Sequence, residues 1–140
     1  DLGAVNLDYY PIDPYTGLEN KYVDILADAR CLPDSLYKKF DTVILGDILE
    51  HFSENDQLLI VGNAKKTLVE DGQIIITCPD DRRNIEHDIQ ADYGKHRPMP
   101  KEHLEDLVLK SSLHTSIYQE IDYGFSMGHG IVCKESNNVR

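Results

Sequence analysis

Two short, almost wholly apolar runs constrain this chain more than any other feature: Thr42-Val43-Ile44-Leu45 and Ile74-Ile75-Ile76. A strand that is apolar on both faces belongs inside a sheet covered on both sides. The segment between the runs has helical spacing, and strands joined by a helical crossover lie parallel. Ser53 is a suitable N-cap, with Asp56 three residues on as a variant of the capping box. Leu58, Val61 and Leu68, flanked by Leu59, Ala64 and Val69, predict a helical face over Glu54–Val69. Gly72 after Asp71 suits a left-handed terminator of that helix. Gln73–Cys78 then forms a second inner strand adjacent to the first, stopped by Pro79.

The flanking segments read more faintly. Ala4–Asp8 predicts a strand that can run on to Asp13, before Pro14 and Gly17 break the chain. Tyr22–Asp28 alternates as a further strand, and Cys31-Leu32-Pro33 begins a loop. Pro100 opens a helix with an apolar face of Leu104, Leu107 and Val108. Ile117–Ile121 and Gly130–Lys134 predict a closing antiparallel pair. The polar stretch Asp80–Pro100, with Arg82, Arg83, His87, His96 and Arg97, is long for a passive connection and predicts a mobile cover beside the second inner strand.

One hundred and forty residues suit a single domain with a real core. Against 25 acidic residues there are 14 lysines and arginines, a formal net charge of −11. A sequence-independent grip on nucleic acid needs cations against phosphate, so general nucleic-acid binding is not expected. Three widely spaced cysteines, Cys31, Cys78 and Cys133, predict free thiols, a reducing compartment and a cytoplasmic protein. No apolar run approaches the ~20 residues of a membrane span, so no membrane partner is expected.

The chemistry gathers after the first inner strand, in Gly46-Asp47 and Leu49-Glu50-His51. Open α/β sheets bind ligands at the carboxyl ends of their strands, where this loop lies. His87, His96, His103, Asp88 and Asp92 fit no compact ligand spacing, and no metal is expected. Ser53 and Ser126 lack a nucleophile-elbow context.

Taken in order, Val5-Asn6-Leu7-Asp8, Pro11, Val23-Asp24-Ile25, Asp28-Ala29, Leu32-Pro33, Phe40-Asp41, Val43-Ile44, Leu49-Glu50-His51 and Gly72-Gln73-Ile74-Ile75-Ile76 with Pro79 resemble the class I S-adenosylmethionine-dependent methyltransferases. His96 to Leu107 matches a later segment of that family more weakly. The resemblance implies an α/β, Rossmann-like methyltransferase sheet, mostly parallel with a C-terminal antiparallel hairpin. It implies S-adenosylmethionine as cofactor and a small-molecule acceptor that the sequence does not identify.

Site residues follow from the same resemblance. Asp8 or its rival Asp13 would accept the ribose hydroxyls, Asp28 the adenine amine, and the Ala29 backbone a ring nitrogen. Gly46 would let the backbone approach the cofactor, and Asp47 would face its methyl-sulfonium end. Asp47 or His51 would serve as base for an acceptor that must lose a proton, with a purely structural His51 as the other reading. The family's DxGxGxG loop is reduced here to Asp1-Leu2-Gly3-Ala4, which leaves Gly3 as its one glycine. The first strand of the family's sheet is central, so its absence would leave neighbouring strands unpaired. Residues missing before Asp1, or between Ala4 and Val5, are the expected explanation. The alternatives are a catalytically inactive, methyltransferase-like binding or partner subunit, and a nicotinamide-dependent enzyme on a similar sheet.

Overall fold

A computed structural model of the chain describes residues 5–8, 23–79, 97–122 and 127–136. Two sheets are present among them. The smaller pairs β1 (Leu7–Asp8) with β2 (Ile25–Leu26), parallel, Leu7 opposite Ile25 and Asp8 opposite Leu26. The larger has four strands: β3 (Phe40–Gly46), β4 (Leu68–Pro79), β5 (Leu113–Asp122) and β6 (Met127–Glu135), in the order β3-β4-β6-β5. Helices α1 (Glu54–Thr67) and α2 (Lys101–Lys110) complete the elements, with short 3-10 turns at Asp34–Leu36 and Leu49–His51.

The two inner runs pair as expected. β3 and β4 lie parallel, from Thr42 opposite Gln73 to Gly46 opposite Thr77, with α1 between them in sequence. The closing hairpin is also present: β5 and β6 pair antiparallel. The expectation of a mostly parallel sheet needs correction. β6 docks antiparallel on the free edge of β4, so one pairing of the larger sheet is parallel and two are antiparallel. The hairpin supplies half of this sheet and can add only strands of alternating direction.

Register sets the two faces. Leu45, Ile76, Ile131 and Tyr118 form one cross-strand row, and Val43, Ile74 and Cys133 another. These rows face α1 and α2, and from them Leu45, Ile74, Ile76, Ile131 and Cys133 form the core with Leu49, Ile60, Val61, Ala64, Leu104, Leu107 and Val108, Val43 packing against it. On the opposite face run Ile44-Ile75-Val132-Ile117 and, nearer the carboxyl end of β3, Gly46-Thr77-Gly130-Gln119. Ile44 and Ile117 are 66% and 57% exposed there, so β3 is not buried on both faces as its composition suggests.

α1 begins where the sequence places it. The Ser53 hydroxyl accepts the Asp56 backbone N–H at 3.3 Å. Glu54 and Asp56 in the first turn and Lys65 and Lys66 in the last complement the helix dipole. Its end differs from expectation, and its buried face does so in part. The helix stops at Thr67, and Leu68 and Val69 already belong to β4. The buried stripe is Gln57, Ile60, Val61, Ala64 and Thr67, joined by Asn63, while Leu59 is exposed. The expected face holds at Leu58, Val61, Ala64 and Leu68, while hydrophobic spacing missed Ile60 and three polar side chains, Gln57, Asn63 and Thr67, that hold core positions through hydrogen bonds.

Gly72 is likewise not the left-handed residue. Asp71 takes that conformation, with φ of 65°, and Gly72 lies within β4. A Cβ on Gly72 would stand 2.9 Å from Leu68 Cδ2, 3.0 Å from the Val69 carbonyl and 3.1 Å from the Asp41 carbonyl. The glycine is required by close packing of backbone. The expected strand over Tyr22–Asp28 is described only at Ile25–Leu26, and the N-terminal strand only at Leu7–Asp8. α2 buries Leu104, Leu107 and Val108 as expected, with Pro100 as its N-cap residue. The three cysteines form no disulfide, Cys78 and Cys133 being buried and Cys31 exposed. No helix among the described residues is long and apolar enough to cross a membrane.

Candidate functional site

β3 ends at Gly46, and the chain turns sharply at Asp47, which adopts a left-handed φ of 53°. Asp and Asn accept that conformation better than other residues with a Cβ. Two bonds to β4 hold the turn. The Asp47 backbone N–H donates to the Thr77 carbonyl at 3.0 Å. The Thr77 hydroxyl donates to the Asp47 carboxylate at 3.2 Å. Asp47 is exposed at the rim, beside a floor without large side chains: Gly46, Thr77 and Gly130 lie in one row across β3, β4 and β6. A Cβ on Gly46 would find only the Thr77 hydroxyl, at 3.9 Å, so the space over it is open.

The next turn faces inward. Leu49 and Glu50 are buried, and His51 is half-buried with Nε2 3.7 Å from a Glu50 carboxylate oxygen. The Glu50 carbonyl accepts the Arg97 backbone N–H at 2.7 Å, which fastens the approach to α2 onto this turn. Gln57 holds the turn from below: its amide nitrogen donates to the Leu49 carbonyl at 2.9 Å and the Phe52 carbonyl at 3.0 Å. Its amide oxygen is 2.8 Å from His103 Nε2. Because a buried carbonyl oxygen needs a donor, Nε2 of His103 carries the proton. His103, one of the histidines weighed for a metal, thus links α2 to α1. Gln57, and the pairing of His103 with it, escaped the sequence reading. Their signal was a polar pair at core phases of two helices, detectable only with the third dimension.

At the other edge, Asp8 closes β1, and Asp28 follows the end of β2 by two residues, so both lie at the carboxyl ends of parallel strands. Asp28 opens a tight turn, its carbonyl accepting the Cys31 N–H at 2.8 Å. The Ala29 carbonyl accepts the Asn63 side-chain amide at 3.1 Å, which pins the turn to α1. The Asp28 carboxylate is engaged by Arg30, through Nε at 3.0 and 3.1 Å, Nη2 at 2.6 Å and the backbone N–H at 2.9 Å. These bonds, the side-chain ones foremost, hold the Asp28 carboxyl below its usual range. The far side of the guanidinium lies 3.5 Å from Asp56 and 5.3 Å from the centre of the Phe52 ring. Arg30 therefore joins the Asp28 turn to the segment that follows Asp47. It was not foreseen; its position two residues after Asp28 was the available sign.

The structure thus brings Asp28, Ala29 and the Asp47–Phe52 segment together through α1. Gly3, Asp13 and most of the expected cover over Asp80–Pro100, including His87, Asp88, Asp92 and His96, lie outside the described residues.

No family model matches the sequence, and no curated protein matches it. Solved structures do. A Burkholderia thailandensis 1,6-didemethyltoxoflavin-N1-methyltransferase, determined with its substrate and S-adenosylhomocysteine, superposes with a TM-score of 0.66 at 11% identity, over 85% of this chain and 53% of that one. A magnesium protoporphyrin IX methyltransferase from Synechocystis, with bound S-adenosylhomocysteine, gives 0.60 at 11% identity, over 88% and 55%. A Methanosarcina mazei S-adenosylmethionine-dependent methyltransferase gives 0.63 at 12% identity, over 86% and 72%. The chain spans about half the length of the first two. The fold is therefore that of S-adenosylmethionine-dependent methyltransferases.

Proposed function

We propose that this chain is part of an S-adenosylmethionine-dependent methyltransferase acting on a small-molecule acceptor. The observation that carries the reading is the rim itself. Asp8, Asp28 and Asp47 each stand at or just beyond the carboxyl end of a parallel strand, and a floor without large side chains adjoins Asp47. The resemblance to methyltransferases that bind S-adenosylhomocysteine supports it. A cytoplasmic location and a single domain belong to the same reading.

The donor set fits an adenosyl cofactor: carboxylates for neutral hydroxyl and amine donors, and open space over Gly46 for close approach to backbone. Asp8 or Asp13 would hold the ribose, Asp28 and the Ala29 backbone the adenine, with Gly3 near the amino-acid end. Bound there, the cofactor supplies a methyl group activated on a sulfonium. Much of the rate in such a displacement comes from positioning acceptor and methyl in line. Asp47, fixed by Thr77, would orient that end of the site. Where the acceptor must lose a proton, Asp47 or His51 would take it, with the Glu50 carboxylate 3.7 Å from His51 Nε2.

The test is thermal stability of the full-length protein with S-adenosylmethionine, S-adenosylhomocysteine or NAD. A ligand at a hundredfold excess over its dissociation constant stabilises by about 2.7 kcal/mol. Both adenosyl compounds should raise the melting temperature and NAD should not. The second reading, a non-catalytic binding or partner subunit, is favoured by the prior engagement of Asp28 by Arg30 and predicts no shift with any of the three.

A further inference from the structure

Among the described residues, Arg30 is the one cation whose guanidinium fork grips a carboxylate assigned above to a ligand. Its Nε and Nη2 lie along the edge of Asp28 at 2.6–3.1 Å, and its own backbone N–H adds a further bond to Oδ1. A carboxylate edge that receives a two-pronged guanidinium is the edge a neutral amine would otherwise use. A charge-assisted fork is about twice as strong as a neutral hydrogen bond, so an aromatic amine does not displace it on bond strength alone. The guanidinium also has somewhere to go. Nη1 already lies 3.5 Å from Asp56 Oδ2, and the Phe52 ring is 5.3 Å from the guanidinium carbon. These contacts are at the amino end of α1 and immediately after the Leu49–His51 turn.

We propose that Arg30 is a built-in competitor for the adenine edge of the site: it occupies Asp28 in the empty protein and is displaced toward Asp56 and Phe52 when an adenosyl ligand binds. The inference rests on the adenine role assigned to Asp28. Binding is then an exchange, amine for guanidinium, and adenosyl affinity is set below what a free Asp28 would give. The exchange also reports to the rim. Phe52 follows the turn that carries His51, and its backbone carbonyl is held by Gln57, so occupation of the adenine edge strengthens a cation–ring contact next to the acceptor side. The device selects for ligands that bring a donor to Asp28, since a ligand without one gains nothing from removing the arginine.

Calorimetric titration with S-adenosylhomocysteine and S-inosylhomocysteine tests this, using the full-length protein, Arg30→Met and Arg30→Lys. Methionine keeps an apolar stem over Phe52 without the fork, and lysine keeps the charge without the planar pair of donors. Arg30→Met should bind S-adenosylhomocysteine about five- to twentyfold tighter than the parent, with Arg30→Lys between them. S-inosylhomocysteine, which has an oxygen in place of the amine, should show no gain. Unchanged or weaker S-adenosylhomocysteine binding by Arg30→Met, while the parent binds, overturns the competition and leaves the functional reading standing. An equal gain for both ligands also overturns it, because the amine would then not be the competing group. If parent and variants all melt cooperatively yet none binds S-adenosylhomocysteine, the functional reading itself fails, and this inference with it.

Discussion

Thr77 holds Asp47 twice, its carbonyl taking the Asp47 backbone N–H at 3.0 Å and its hydroxyl reaching the Asp47 carboxylate at 3.2 Å. One bond fixes where β3 ends and the other where the carboxylate points, so the position of the charge is dictated by the neighbouring parallel strand.

Asp47 must also sustain a φ of 53°. Alanine there should cost about 1–2 kcal/mol, from the left-handed backbone and the lost Thr77 bond together. Glycine loses the same bond but relieves the backbone, and should be close to neutral. Urea denaturation of the two variants checks this; equal losses would show that the backbone is not strained.

Gly72 and Gly62 should respond oppositely to alanine. At Gly72 the new Cβ would meet Leu68 and two carbonyls at 2.9–3.1 Å, and overpacking of this kind costs about 1–3 kcal/mol. At Gly62, inside α1, a Cβ meets nothing within 4 Å, and the better helix former should add about 0.5–1 kcal/mol. Melting temperatures of the two variants should fall and rise respectively.

Gln57→Leu keeps the volume but removes the amide donor of the Phe52 carbonyl and leaves the Leu49 carbonyl with the Phe52 backbone N–H alone. Each buried acceptor left unmet costs about 1–3 kcal/mol. The midpoint of urea unfolding should drop sharply with an unchanged slope, and an unaltered midpoint would mean that water replaces the amide.

Arg30 lowers the Asp28 carboxyl, so the ion pair contributes stability above the unfolded carboxylate value, about 4, and loses it as pH falls through the lower folded value. At this exposed site the contribution is at most about 1 kcal/mol. The stability gap between the parent and Asp28→Asn should be constant from about pH 5 to 8 and close in stronger acid. A gap that widens in acid would contradict the pairing.

The thiols should sort by burial. Desolvation pushes the Cys133 thiol up to about 11, and its Sγ lies 3.5 Å from the Ile74 carbonyl as a donor. The native protein should release one equivalent in a neutral disulfide-exchange assay, from exposed Cys31, and Cys31→Ser should release none. Denaturation should expose all three cysteines.

The parallel pair, the Ser53 cap, the α2 face and the closing hairpin were legible because each rests on a local pattern: apolar runs, a capping serine, a Leu104-Leu107-Val108 stripe. The sense of the β4–β6 contact was not, since nothing within either strand states which edge it will meet. The face of α1 was legible at Leu58, Val61 and Ala64 but not at exposed Leu59, nor at Gln57 and Asn63, which look like surface residues until their carbonyl partners are placed. Asp71 and Gly72 exchanged roles for a related reason: sequence shows which residue tolerates a left-handed turn but not which is crowded by Leu68 and Asp41. At the site, Asp47 and Asp28 could be picked out as acids following strands. Arg30 could not, because an arginine two residues from an aspartate reads as solvent-facing until its fork is seen on the carboxylate.

The strand order β3-β4-β6-β5 also bears on how the chain assembles during synthesis. Of the four strands, the one that seals the edge of β4 is made last. β5 emerges earlier, when the edge it will finally adjoin does not exist and the edge of β4 is still open. A premature β4–β5 pairing would exclude β6, so productive assembly requires β5 to wait for its hairpin partner and the two to dock as a unit. Chains stalled between residues 122 and 127 would carry an open edge on each of these strands, the condition under which neighbouring nascent chains associate.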